Sequence, residues 1–233
     1  MEHHSIARPR SEVMVNDFVR SVYNWMAVGL ALTGAMAFYV SQNLELLRII
    51  SSPLIQIVLF VAIIGLVVSI SGMVNRMSAG TATGLFVVYS SLMGVLLSPI
   101  FIVYTQASIA STFFICAGTF VGCSIYGWTT KRDLTSLGGF FMMGLIGIII
   151  ASVVNIFIRS SAMYYLIGYI GVIVFVGLTA YDTQKLKNMA LTQPAGLDGA
   201  VVRKGAILGA LSLYLDFINL FLMLLRIFGH SRD

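Results

Sequence analysis

An all-α membrane protein of seven transmembrane helices is predicted by three observations. The chain is 58% hydrophobic and only 10% charged, and its mean hydropathy is +0.95. Its apolar residues also fall into seven stretches, each of the ~20 residues that a helix needs to cross a bilayer. Lipid rather than water is the solvent that such a composition suits. A polar tail at 1–20 leads into one helical domain at 21–233, because most connections between the stretches are short.

The first stretch, 22–41, follows a tail that is polar and mixed in charge. No cleavable leader is expected there, and the helix should act as its own insertion signal. The second, 53–75, runs to Arg76. The third and fourth, 80–103 and 107–129, must be separated by a turn around 99–106. No charge occurs between Arg76 and Lys131, and one helix over that distance would reach roughly 80 Å, far more than a bilayer. Cys116 and Cys123 lie roughly 10 Å apart along the fourth helix, too far for a disulfide, and are expected to be small apolar packing residues. The pairs Gly118 with Gly122 and Gly205 with Gly209 have the GxxxG spacing that lets helices approach in lipid, and predict a tight bundle. The fifth stretch is 134–158 and the sixth 162–181. A longer polar loop at 182–204, broken by Pro194, Gly196 and Gly199, precedes the seventh at 205–228.

Seven crossings place Arg8, Arg10, Arg20, Arg76, Lys131, Arg132, Lys185, Lys187, Arg203 and Lys204 on one side. Arg48, Arg159, Arg226 and Arg232 fall on the other. Ten against four predicts that the N-terminus is cytoplasmic. The net charge of +5 and pI of 9.4 then reflect a cytoplasmic excess that touches anionic headgroups of the lipid bilayer. No basic cluster interleaved with aromatics points to nucleic acid, so none is expected as a partner. His3, His4 and His230 all fall in the tails, and neither HExxH nor CxxC spacing occurs. Transition-metal chemistry is therefore not expected, nor is any required cofactor.

Asp216 is the one charge placed deep in a membrane-length stretch: within 206–228 the other charged residue, Arg226, lies at the end. A charge at mid-bilayer costs about 2.5–3.5 kcal/mol even on lenient scales, so such residues usually face a bundle interior, have a partner and serve transport or proton chemistry. Gly205, Gly209, Ser212, Asp216, Asn219, Met223 and Arg226 step by four and three along one stripe of the last helix. Gly168, Gly171, Phe175, Thr179 and Asp182 form a shorter stripe on the sixth. If the two helices pack antiparallel, Asp182 and Asp216 meet in the cytoplasmic half. Ser212 and Asn219 would then serve as interhelical hydrogen-bond glue. Two carboxylates held close in a poorly hydrated site cannot both ionise cheaply, so the pair retains a shared proton and becomes a pH sensor. Protonated, it latches two helices. Doubly ionised, it repels itself or recruits a hard cation such as Ca²⁺, which makes Asp182 and Asp216 candidate calcium ligands. Arg76, at the cytoplasmic end of the second helix, is the candidate to stabilise one ionised aspartate in the alternative state.

At these residues the chain resembles the transmembrane Bax inhibitor motif family, in particular its bacterial inner-membrane branch. The carrying segments are 170–187, reading GVIVFVGLTAYDTQKLK after the isoleucine, and 208–229, reading LGALSLYLDFINLFLMLLRIFG. KRDL at 131–134 and the stretch 98–104 support them. The resemblance implies six helices in two three-helix layers around a central C-terminal helix, and a pH-sensitive calcium leak through that bundle. It also implies that Asp182 and Asp216 are the family's aspartate pair and that Arg76 is the arginine some members pair with it. No acid stands in the second helix, in contrast to some relatives.

Three functions are weighed on these grounds. The first is a pH-sensitive, calcium-permeable leak channel of the bacterial inner membrane, with no enzymatic activity. The second is a regulatory binding partner of other membrane proteins, such as proteases or stress machinery, without transport. The third is an intramembrane aspartyl protease, suggested by Tyr181-Asp182 in one helix and Asp216 in the next. Against the protease, the second acid is reached as Leu213-Tyr214-Leu215-Asp216 rather than GxGD, and no proline-alanine-leucine signature follows.

Overall fold

The structure, a computed structural model, describes residues 10–192 and 197–232. Apolar runs with no water to satisfy their amides must bond internally, and every long element here is a helix. In chain order these are α1 (Arg10–Ser41), α2 (Leu44–Ile50), α3 (Pro53–Met73), α4 (Ala79–Leu97), α5 (Ile100–Val103), α6 (Gln106–Thr129), α7 (Thr135–Ile158), α8 (Ser161–Thr192) and α9 (Gly199–Phe228). A 3₁₀ turn, Val74–Arg76, closes α3. Seven segments are long and apolar enough to cross a membrane, with α4 and α5 together forming one of them.

Short polar signals set the helix starts. The side chain of Asn43 accepts from the amides of Glu45 and Leu46 to open α2, and Pro53 occupies the first turn of α3, where its missing N–H costs nothing. Ser78, Thr105 and Asp198 accept from Thr81, Ser108 and Ala200 to open α4, α6 and α9. The expected turn after the third span is present: α4 stops at Leu97 just before Pro99, and α5 and an extended Tyr104–Thr105 lead into α6.

The centre of the bundle is α9. Within its most apolar window 72% of residues are buried, against 6% for α7, so α9 is the core and α7 meets lipid over most of its surface. Around α9, α4 packs on α1 and α3, α8 packs on α6 and α7, and α1 also touches α8. Of these, α7 leans on α8 and makes no substantial interface with α9. With no hydrophobic effect to press helices together in lipid, small residues must let backbones approach. A Cβ on Gly94 would collide with the Thr33 carbonyl of α1, and one on Gly127 with the Ala180 carbonyl of α8.

Three expectations are corrected here. The sequence reading ends the sixth helix at Tyr181 and opens a loop at Asp182, whereas α8 runs to Thr192 and α9 begins at Gly199. The apolar stripe continues through the buried Leu186 and Ala190 and holds that extension on the bundle. Of the predicted breakers, Pro194 and Gly196 lie outside the described residues, as does the stretch 1–9 of the N-terminal tail. The helix of α1 already starts at Arg10, inside the segment read as tail. Gly118 and Gly122 are not packing devices, since both would point a Cβ into open space, whereas a Cβ on Gly209 of the second pair would press on Leu186 and Val22. Cys116 and Cys123 are both free, and Cys116 is buried with its Sγ 3.6 Å from the Phe217 carbonyl.

The C-terminal tail closes one end of the bundle. His230 donates its amide to Ser108 Oγ at 2.9 Å, its carbonyl accepts from Thr105, and Arg232 donates to the Val103 carbonyl at 2.9 Å. Nearby, Arg226 lies 4.3 Å over the Tyr164 ring, and the Tyr164 and Tyr104 hydroxyls are 3.0 Å apart. The opposite end carries Arg20, Arg76, Lys131, Arg132, Lys185, Lys187, Arg203 and Lys204. Replacing Gly127 by Leu should lower thermal stability in detergent by about 1–3 kcal/mol, the usual penalty of overpacking, whereas Gly118→Leu should leave it unchanged. Equal melting shifts for the two variants would contradict the packing described.

Candidate functional site

The last two helices meet as an antiparallel pair whose register their small residues set. A Cβ on Gly168 would touch Arg226, one on Gly171 would touch Met223, and one on Gly209 would touch Leu186. Each step of about one turn along α8 is thus met by a step of one turn back along α9. Between these close approaches the register brings Asp182 to Ser212, whose hydroxyl donates to Asp182 Oδ2 at 2.6 Å. One turn further along α9 stands Asp216.

Asp182 and Asp216 are close enough for each to act on the carboxyl group of the other. Their surroundings differ. Asp182 is half-buried and lines a cavity of about 270 Å³ at the basic end of the bundle, together with Ser71, Lys185, Met189, Leu208 and Ser212. Asp216 does not reach that cavity and is only 6% exposed. Its Oδ2 is buried with no hydrogen-bond donor among the described residues. An orphaned buried carboxylate oxygen is costly, and one proton placed between the two acids would satisfy it, because a protonated carboxyl becomes a donor.

The other residues singled out from sequence are placed differently. Arg76 is exposed at the end of the 3₁₀ turn, and among the described residues no ion pair joins it to either aspartate. Asn219 donates its side-chain amide to the Leu215 carbonyl of its own helix at 2.8 Å, away from the acids. Among the described residues no group of three or more His, Cys, Asp or Glu gathers to hold a metal. Two carboxylates and one hydroxyl fall short of the six to eight oxygens that Ca²⁺ prefers, so the set suits a passing ion better than a resident one.

Sequence reasoning missed three contributors. Lys185, one turn beyond Asp182, lines the same cavity and puts a cation at its wall. Gln184 is buried, accepts from the Leu134 amide and donates to the Arg132 carbonyl, each at 2.8 Å. It pins the α6–α7 connection to α8, so the KRDL and YDTQ segments touch. Beside it, Asp133 accepts from the amide and hydroxyl of Thr135, which holds its carboxyl below the usual range. The third is on the far face of α9, where the Tyr214 hydroxyl lies 2.6 Å from Thr33 Oγ1, which also donates to the Ser90 carbonyl at 2.8 Å. The buried Tyr89 ring packs edge-on against Tyr214 at 5.4 Å. A tyrosine and a threonine within apolar helices carry no positional signal, but an eye for every polar atom within the last span would have found Tyr214.

Comparison with known proteins now bears on the site. The family model described as "Inhibitor of apoptosis-promoting Bax1" matches residues 15–233. "Inner membrane protein YbhL" of Escherichia coli K12 is 52% identical over 229 residues, which covers 98% of this chain and 97% of that one. An uncharacterized protein of Borreliella burgdorferi is 46% identical over 231 residues, 98% of each chain. One of Deinococcus radiodurans is 41% identical over 233 residues, 100% of this chain and 98% of its own. A double-mutant cycle of Ser212→Ala with Asp182→Ala, read by unfolding in lipid nanodiscs, should show a coupling of about 1–2 kcal/mol. Strict additivity would mean that the hydroxyl does not hold the acid.

Proposed function

The chain belongs to the Bax inhibitor family, and from that premise we propose that it is a pH-sensitive, calcium-permeable leak of the bacterial inner membrane, gated by Asp182 and Asp216. The observation that carries this reading is the orphaned, buried oxygen of Asp216, a residue close to Asp182, which lines a cavity at the basic end. The excess of lysine and arginine at that end supports a cytoplasmic orientation for it and for the N-terminus.

In the closed state one proton is held between the carboxyl groups, and Ser212 fixes the orientation of Asp182. The two helices are thereby latched at mid-depth. Loss of that proton leaves two negative charges side by side, which at ~4 Å and an effective dielectric of ~20 repel by about 4 kcal/mol. Separation of α8 from α9 relieves the repulsion and extends the cavity past Asp216. A divalent cation is drawn to the exposed carboxylates and moves on, because too few oxygens surround it to trap it. Since the closed state holds the proton and the open state does not, opening releases protons, and flux rises as pH rises. Arg76 and Lys185 are the cations placed to meet an ionised aspartate once the latch parts.

Calcium influx into proteoliposomes across a pH series tests this. Wild-type flux should increase with pH, and Asp182→Asn or Asp216→Asn should flatten the profile. Variants that keep both the rate and the profile of the wild type would remove the acids from the gate. Purified protein that passes no calcium at any pH, but is crosslinked stoichiometrically to one membrane protein in native membranes, would favour a regulatory role instead.

A further inference from the structure

A cleft on the lipid-facing side of the bundle is not used by the acid pair. Helices α1 and α6 both lean on α8 and α9 but form no substantial interface with each other. The gap between them holds two cavities of about 730 and 420 Å³ that share Leu30 in their walls. Along α1 the lining runs from Val19 to Phe38, roughly 28 Å of helix, close to the ~30 Å hydrocarbon thickness of a bilayer. The cleft is therefore a groove through the full depth of the apolar layer. Its floor includes Phe217, Ile218 and Phe221 of the otherwise enclosed α9. The Phe217 ring is braced edge-on by Phe113 and Phe120, each at 5.4 Å.

The walls decide what can fill it. In the basic half they are built mainly from Met26, Ala27, Leu30, Phe120, Val121 and Ile125, and the buried hydroxyls of Ser124 and Thr183, on the way to the mouth, bond to each other. Water needs two or more polar partners to stay in such a space, and an empty cleft would forfeit dispersion contacts along its length. Hydrocarbon is the one filler that the surroundings supply. The mouth adds selectivity. Asn24, Ser124 and Thr129 reach it, Arg20 follows Val19 on α1, and Lys131 and Arg132 lie just past Thr129 with both side chains exposed. The Lys187 ammonium donates to the Trp128 carbonyl at 2.6 Å and, with further N–H groups to spare, lies 5.8 Å from the centroid of the Trp128 ring, which also lines the mouth. At the opposite end the corresponding cation, Arg232, donates to the Phe101 carbonyl.

We propose that this cleft holds one anionic phospholipid, with an acyl chain between α1 and α6 and its phosphate among Arg20, Lys131, Arg132 and Lys187. The chain rests on Phe217, next in sequence to Asp216, so the bound lipid buttresses α9 from the side opposite its latch. This inference stands without the calcium reading, because it concerns only what fills the groove.

The test uses full-length protein carrying Trp25→Phe, which leaves Trp128 at the mouth as the sole tryptophan. Its fluorescence is titrated with brominated phosphatidylglycerol or brominated phosphatidylcholine in mixed vesicles. Quenching by the anionic lipid should saturate near one lipid per chain, with a preference of about five-fold or more over phosphatidylcholine, the value of a single cation near a headgroup. Filling the cleft by Ala27→Leu with Val121→Phe should abolish the saturable component. The surface double variant Lys131→Gln with Arg132→Gln, which disturbs no buried contact, should reduce the preference while keeping the fold. Equal quenching by both lipids, or a preference that survives both sets of changes, would overturn the proposal. So would a cleft-filling variant that alters the oligomeric state rather than lipid retention, since the occupant would then be a second copy of the chain.

Discussion

A carboxyl group at the depth of Asp216 must find a partner on another helix, and that need organises the bundle. Asp182 on α8 is the candidate partner, brought near because the two helices run antiparallel in a register that glycines set at both ends of the contact. Shift that register by one residue and the polar stripe on α9 would rotate toward apolar neighbours. The burial of α9 among its neighbours α1, α4, α6 and α8 follows from the same constraint.

The central helix is fastened on two sides by different chemistry. Toward α8 the fastening is acidic and includes Ser212. Toward α1 and α4 it is neutral, through Tyr214, Thr33 and the Ser90 carbonyl. A neutral hydroxyl network keeps its bonds over the physiological range of pH, whereas a pair of acids does not. In the proposed latch, loss of the proton would loosen one side of α9 while the other holds it. Such an asymmetry allows a change in the α8 contact without unpacking the core, and the phenylalanine floor of the lateral cleft lies on the same helix one residue from the acid.

Much of this was legible in the sequence, because the signals were periodic or energetically loud. An isolated aspartate in an apolar helix stands out, and alternating steps of four and three residues show which side chains share its face. The spans themselves followed from length and apolarity. The boundary of α8 was misread because Asp182 looked like the end of a polar-capped helix. The stripe in fact continues through Leu186 and Ala190, at a spacing that mixed polar neighbours obscure. Glycine spacing misled for a different reason: Gly118 and Gly122 satisfy a motif whose meaning depends on what lies opposite, and nothing does. Gln184 and Thr33 act through backbone atoms distant in sequence, which no local pattern encodes.

The proposed gate depends on a proton shared by Asp182 and Asp216, and infrared spectroscopy of the protein in lipid can look for it directly. A carboxylic acid carbonyl band should be present near neutral pH, disappear as the pH is raised, and be lost or shifted in Asp216→Asn. A spectrum containing only carboxylate bands at neutral pH, unchanged by that substitution, would contradict a latch made of one proton between two acids.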